Sequence, residues 1–262
     1  MKFFLGIFIF FSNCCLAQQW QAEVMAGVSG YNGDLTRRPL SFRTMGPSLS
    51  VNLKYVLPGE YIIIRGGLGY GRISGNDKYN KVQILKDRNL NFKTYILEAN
   101  LGMELNILDP QLFHAFPYLF GGVGVFLFDP YTRDNNNRKT YLRSLGTEGQ
   151  GLAEYPDKKM YSLTQFCIPL GAGWKWKIND KYEVAYEIGG RYLLTDYLDD
   201  VSTNYVNPQT LQLERGRIAA ELANRQLSAN NRPIEGTRRG NSKVKDWYYM
   251  SGIKFLVNLG VK

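Results

Sequence analysis

Three shortages narrow the field before any motif is sought. The 262-residue chain holds only three cysteines and one histidine, and two of the cysteines, Cys14 and Cys15, sit at the end of its first apolar stretch. Beyond that stretch only Cys167 is left, so no internal disulfide can carry the fold, and a lone strand thiol reads as packing. With His114 as the sole histidine, neither a multi-histidine metal centre nor a hydrolytic triad assembles around it. No window after residue 18 reaches the roughly 18 consecutive apolar residues of a membrane helix, and the mean hydropathy is negative, at -0.28.

What is present begins with an export signal. Lys2, the apolar run 3–11 and the small-residue end at Cys15-Leu16-Ala17 predict a signal peptide over 1–17, leaving one domain over 18–262. The run is shorter than the about 20 residues of a spanning helix. The residues ahead of Cys14 and Cys15 fit the lipid-modified cysteine pattern poorly. Removing Lys2 from the 32 Lys and Arg leaves an excess of eight over the 23 Asp and Glu, scattered over loops, so no nucleic-acid partner is implied.

Past the signal, period-two alternation recurs. Trp20, Ala22, Val24, Ala26 and Val28 oppose Gln21, Glu23, Met25, Gly27 and Ser29, since successive strand side chains point oppositely. Tyr95, Leu97, Ala99, Leu101, Met103 and Leu105 oppose Glu98, Asn100, Gly102 and Glu104, a pattern no amphipathic helix produces. Eight such segments predict an all-β, eight-stranded antiparallel transmembrane barrel of the bacterial outer membrane. Connections alternate between long (about 30–46, 71–91, 129–161 and 195–245) and short (58–60, 107–114 and 179–181). That rhythm matches long extracellular loops and short periplasmic turns. Aromatics such as Trp20, Tyr55, Tyr61, Tyr95, Trp174, Trp176, Tyr192, Trp247 and Tyr249 fall near strand ends and predict girdles.

A soluble ligand-binding barrel would show the same alternation with its apolar face inward. Here the polar face is sparse and rich in glycine, as a narrow interior requires. It holds Arg65, Lys175, Arg191 and Lys254 with Glu98, Glu104, Glu183 and Glu187, which predict a structural polar network filling the lumen. No catalytic, cofactor or metal residue is assigned, and no cofactor or small-molecule substrate is expected. The stretch Gly66-Gly67-Leu68-Gly69 lies inside a strand and so lacks the context of a dinucleotide fingerprint. Within 208–230 a helical pattern of Leu211, Ile218 and Leu222 predicts one short helix in the last loop. The basic residues Arg232, Arg238, Arg239, Lys243 and Lys245 that follow suit anionic lipopolysaccharide or a docked protein.

Several loop segments are more specific. They include Gly146-Thr147-Glu148-Gly149-Gln150-Gly151 and Thr195-Asp196-Tyr197-Leu198-Asp199-Asp200, with Gly30-Tyr31-Asn32-Gly33-Asp34-Leu35 and Tyr70-Gly71-Arg72-Ile73-Ser74-Gly75. In these the chain resembles a Bacteroidetes outer-membrane barrel family that includes PorG, a component of the type IX secretion and gliding machinery. That resemblance implies a non-enzymatic barrel associated with a periplasmic ring of a lipoprotein and its partner. The alternatives are a small barrel for passive transport or ligand binding, and an outer-membrane lipid-modifying enzyme using His114. Asp196, Asp199 and Asp200 suit bonding to backbone amides or, alternatively, calcium.

Overall fold

The computed structural model describes residues 19–36, 41–228 and 232–260. The expected signal peptide, 1–17, lies outside the described residues. Eight long strands form the wall: β1 Gln19–Asn32, β2 Gly46–Val56, β3 Ile62–Asn76, β4 Asn91–Asn106, β5 Ala115–Leu127, β8 Thr164–Lys177, β9 Tyr182–Leu193 and β10 Trp247–Asn258; between β5 and β8 lie two short strands, β6 Tyr131–Arg133 and β7 Lys139–Tyr141. Each long strand pairs antiparallel with its neighbours in the order β3, β2, β1, β10, β9, β8, β5, β4, and a β3–β4 ladder closes the cylinder. β1 and β10 pair from Gln21 with Asn258 to Asn32 with Trp247, so the first and last strands seal the barrel.

Alternation sets which residues meet which surroundings. Val24, Leu53, Leu68, Leu101, Met103, Phe166, Leu170 and Ile253 are all exposed on the outer wall, where only lipid could cover so much apolar surface. The ten residue steps from Tyr95 to Leu105, at about 3.4 Å each and tilted about 45°, give a belt of about 25 Å, an outer-membrane dimension. Aromatic pairs edge it: Trp20 meets Tyr55 at 5.1 Å and Tyr182 meets Phe255 at 5.6 Å at the periplasmic side, while Tyr70 stacks on Tyr95 at 6.0 Å on the other. Among the described residues no helix is long and apolar enough to cross a membrane; the crossing is made by strands.

The extracellular side departs from the sequence reading. β3 and β4 run past the membrane to Asn76 and Asn91, so the loop expected from residue 71 begins later. The β6–β7 hairpin extends the wall from β4 through Lys93 and Tyr131. In place of one helix in one loop there are three α-helices among the described residues: α1 Gln83–Arg88 in the second loop, and α2 Pro208–Arg215 and α3 Arg217–Ala223 in the last. The break between α2 and α3 falls at Gly216, whose φ of 87° ends the helix. Tyr249, expected in the girdle, is buried instead, its ring against Gly30.

Candidate functional site: a filled lumen beneath a sealed cap

The inward-facing charges meet across the barrel. Lys54 lies 2.5 Å from Glu23 and 2.8 Å from Glu104, and Lys175 also contacts Glu104. Arg65 pairs with Glu187 at 2.8 Å and approaches Glu104 at 3.6 Å and Glu23 at 3.8 Å. Lys254 closes the circuit, 2.9 Å from Glu23 and in contact with Glu187. One layer higher, Arg191 pairs with Glu98 at 2.9 Å, and Glu98 also accepts from the Tyr248 hydroxyl at 2.6 Å and the Asn100 amide at 2.8 Å.

Seven of the eight anticipated lumen residues thus sit in ion pairs. The eighth, Glu183, makes none among the described residues; it accepts from the Gln21 amide at 3.3 Å near the periplasmic mouth, beside a cavity of about 180 Å³. Sequence reasoning left Glu23 and Lys54 out of the network although both stood on the polar face. With them the interior holds Glu23, Glu98, Glu104, Glu183 and Glu187 against Lys54, Arg65, Lys175, Arg191 and Lys254, a balance of five and five. Isolated charges at such burial would cost several kcal/mol each, and close pairing across the set offsets much of that cost. Aromatics complete the filling. Tyr118 donates to Glu187 at 2.8 Å and its ring occupies the notch left by Gly173, where a Cβ would fall 2.4 Å from the ring.

Above the network the inward face turns apolar. Met25, Tyr31, Ile73, Phe92, Ile96, Phe126, Cys167, Leu193 and Met250 pack against Leu35, Leu90, Phe128, Leu142, Tyr161, Leu198, Val201 and Leu222 from all four extracellular connections. The loops therefore fold as a domain on the barrel mouth. A smaller cluster of Leu152, Val206, Leu211, Ala219 and Ala223 extends it outward.

The loop motifs meet inside this cap. Gly146, Gly149 and Gly151 all have positive φ, which explains their spacing in a turn that presents Thr147, Glu148 and Gln150 inward. Thr147 donates to Asp200 at 2.5 Å. Glu148 accepts from the Ser202 and Thr203 amides at 3.0 and 2.9 Å and from Arg239 at 3.0 Å, and the Gln150 side chain accepts the Glu148 amide at 2.9 Å. The Asp199 carboxylate accepts from Tyr31 at 2.5 Å and from the Val201 amide at 2.9 Å; Asp196 accepts from Ser202 at 2.8 Å. Tyr197 stacks on Tyr161 at 4.8 Å.

Three residues that sequence reasoning missed hold the cap together. Arg88 binds Asp77 at 2.7 Å, the Asp34 carbonyl at 3.0 Å and the Arg239 carbonyl at 2.5 Å, joining three loops. Arg239, expected on the surface, is 3% exposed and buried against Glu148 and the Asp200 carbonyl. Asp246 accepts from Tyr31 at 3.0 Å and from the Leu198 amide at 3.1 Å, and Gly33 leaves it room, since a Cβ there would fall 1.9 Å from its carboxylate. Their sequence signal was only spacing within loops, where periodicity says nothing.

Burial and the neighbouring acids raise several of these carboxyls. Asp196 is pushed up to about 7 by burial, with Asp34 adding to it. Asp200 reaches about 6 through burial, opposed by Arg239. Asp199 and Asp246 rise well above the ordinary range through burial, with Asp34 acting on the first and Asp199 on the second. Among the described residues no group of three or more acidic, histidine or cysteine side chains converges in a way that could hold a metal. His114 stands exposed on the β4–β5 turn, and among the described residues its ring has no acid or nucleophile bonded to it.

A family model described as "Domain of unknown function (DUF6089)" matches residues 1–221. Comparison with the curated proteins finds no match. Among solved structures, the chain is similar to Neisserial surface protein A at 11% identity, over 93% of this chain and 97% of that one, with a TM-score of 0.41. A major outer membrane protein from Thermus thermophilus gives 11% identity, 92% and 99% coverage and a TM-score of 0.44. For OprG from Pseudomonas aeruginosa the values are 9%, 91%, 96% and 0.38. Neither the family description nor the names of these proteins mention type IX secretion. The lipid-facing belt, closed ladder and charged interior make the protein a small integral barrel of the bacterial outer membrane.

Proposed function

The chain belongs to the DUF6089 family, and on that premise we propose that it is a closed, non-enzymatic outer-membrane component of a type IX secretion and gliding machinery, joining a rigid extracellular cap to a periplasmic ring. The observation that carries this reading is the filled interior: Lys54, Glu98 and Lys254 are 0% exposed within their ion pairs, which supports an anchor rather than a conduit. The type IX assignment draws on the resemblance of the loop segments 30–35, 70–75, 146–151 and 195–200 to the family that includes PorG. On the periplasmic side, the β4–β5 turn leaves Leu112 at 75% and Phe113 at 48% exposure, and Ile178 stands at 61% on the next turn. Apolar side chains in the open on short turns suit a protein partner such as a ring lipoprotein.

The test is a mild-detergent pull-down of tagged protein from outer membranes, with mass spectrometry and an unrelated barrel as control. Co-purification of ring proteins, their loss in a Leu112→Asp, Phe113→Asp variant, and failed secretion in a deletion strain are expected. Recovery of the barrel alone with secretion intact would overturn the reading. Steady ion conductance in a planar bilayer would favour passive transport instead.

A further inference from the structure

One sector of the outer wall differs from the rest. At the extracellular edge of the lipid belt, Tyr70 stacks on Tyr95 at 6.0 Å, Tyr95 on Tyr131 at 6.2 Å, and Tyr131 meets Tyr141 edge-on at 6.1 Å. Lys139 lies over this array, 4.2 Å from the Tyr131 ring centre and 4.5 Å from that of Tyr141, and donates to the Tyr141 hydroxyl at 2.8 Å. Register places further cations alongside: Arg72 pairs with Tyr95, Lys93 with Tyr131 and Arg133 with Lys139. All four cations are exposed.

The acids do not offset them. Among the described residues, Arg72, Lys93, Arg133 and Lys139 form no ion pair; the nearby acids are Asp129, whose carboxyl is raised by burial against the pull of Arg143 and Lys139, and Asp134, buried in the hairpin turn with its carboxylate on the Asn136 and Arg138 amides. The arrangement is also one-sided. At the outward-facing extracellular ends of the other six spanning strands stand Val28, Pro47, Leu127, Thr164, Tyr192 and Trp247, none of them charged. A general response to anionic headgroups would ring the barrel with cations. These are gathered on β3, β4 and the β6–β7 hairpin, and the hairpin's extension of the wall brings Lys139 and Arg133 to them.

Height fixes the kind of ligand. Arg72 and Lys93 lie two residues beyond Tyr70 and Tyr95, about 7 Å further along their strands, where the hydrocarbon ends and phosphate and sugar begin. We propose that this sector is a binding site for a phosphorylated glycolipid headgroup of the outer leaflet, with Arg72, Lys93 and Lys139 on phosphate and the tyrosine array against the sugar. Guanidinium and ammonium groups give charge-assisted bonds to phosphate oxygens, and tyrosine rings suit a surface apolar on one side and wet on the other. The site is independent of any periplasmic partner.

Native mass spectrometry of the detergent-purified full chain tests it, with purified lipid A as probe and dephosphorylated lipid A as control. The wild-type protein is expected to carry one lipid A that survives activation. An Arg72→Gln, Lys93→Gln, Lys139→Gln variant is expected to bind at least about tenfold more weakly, consistent with two or three lost charge-assisted contacts. A matched Lys159→Gln, Arg215→Gln, Arg217→Gln variant, which removes equal charge from exposed positions elsewhere on the cap, should bind as wild type. Equal loss in both variants, retention in both, absence of the adduct, or equal binding of the dephosphorylated lipid would each overturn the proposal. The single variant Lys139→Gln, at an exposed side chain, provides the same reading should the triple variant fold poorly.

Discussion

Along β4 the inside and the outside exchange character. In the membrane half Leu97, Leu101 and Met103 face out and Glu98 and Glu104 face in; a few residues toward the extracellular end, Lys93 faces out while Phe92 and Ile96 face in. β3 does the same, with Leu68 outside and Arg65 inside below, and Arg72 outside and Ile73 inside above. One strand geometry therefore serves two solvents, with lipid outside the lower half and water outside the upper half. The two interiors are stabilised differently. The lower one is a neutral network of strand side chains; the upper one is an apolar core, with Asp77, Glu148, Asp196, Asp199, Asp200 and Asp246 buried around Arg88 and Arg239.

The comparison breaks most sharply at Glu104. Replacing it in a Glu104→Gln variant leaves Lys175 with no ion-pair partner among the described residues while Lys54 keeps Glu23, and unpairing a buried charge costs about 3–5 kcal/mol. Urea unfolding in lipid vesicles, followed by tryptophan fluorescence, should show a loss of that order for the whole barrel. The cap should retain its protease resistance until the barrel opens. A change below about 1 kcal/mol would mean that water reaches these ammonium groups, and that the lumen is less closed than its burial implies.

A smaller and more local effect is expected at Arg239. Arg239→Met removes the charge-assisted bonds to Glu148 and to the Asp200 carbonyl, at about 2–3 kcal/mol. Limited proteolysis should then cut the last loop while the heat-stable barrel band on a gel is unmoved. Equal loss of barrel and cap would show that the two halves unfold as one unit rather than separately.

These two residues also mark where the sequence was legible. Glu104 lies in a clean alternating run, and a period of two assigns its face, its neighbours and the membrane that makes that face interior. Arg239 lies among Arg232, Arg238, Lys243 and Lys245, and composition alone makes all five a basic surface. Its burial depends on contacts with Glu148, 91 positions away in sequence, and no local pattern encodes a contact at that range. The same limit explains why Glu23 and Lys54 were placed on the correct face yet left out of the network. Alternation assigns a face but does not say which charges meet across the lumen. The β6–β7 hairpin was missed for a third reason: its three-residue strands are too short for alternation to register.

The finest separation of the two halves is by pH, and here the sign distinguishes them. Asp196 is held at about 7 in the folded cap against an ordinary 3.8, so between those values the folded cap binds a proton that the opened cap releases. The stabilisation is fully present below about 3.8 and is lost as pH rises through about 7; Asp200, at about 6, adds to it in the same direction. The protection factors of the Leu198 and Val201 amides, taken against the intrinsic exchange rate at each pH, should therefore fall between about pH 5 and 7.5, by at most about tenfold per pH unit for each proton. Asp196→Asn carries no such proton and should flatten that slope. The midpoint of barrel unfolding should stay unchanged across the same range, because Glu23, Glu98, Glu104 and Glu187 are paired with cations. A parallel shift in barrel and cap would show that protons taken up above the membrane are felt within it, and would join the two interiors into one.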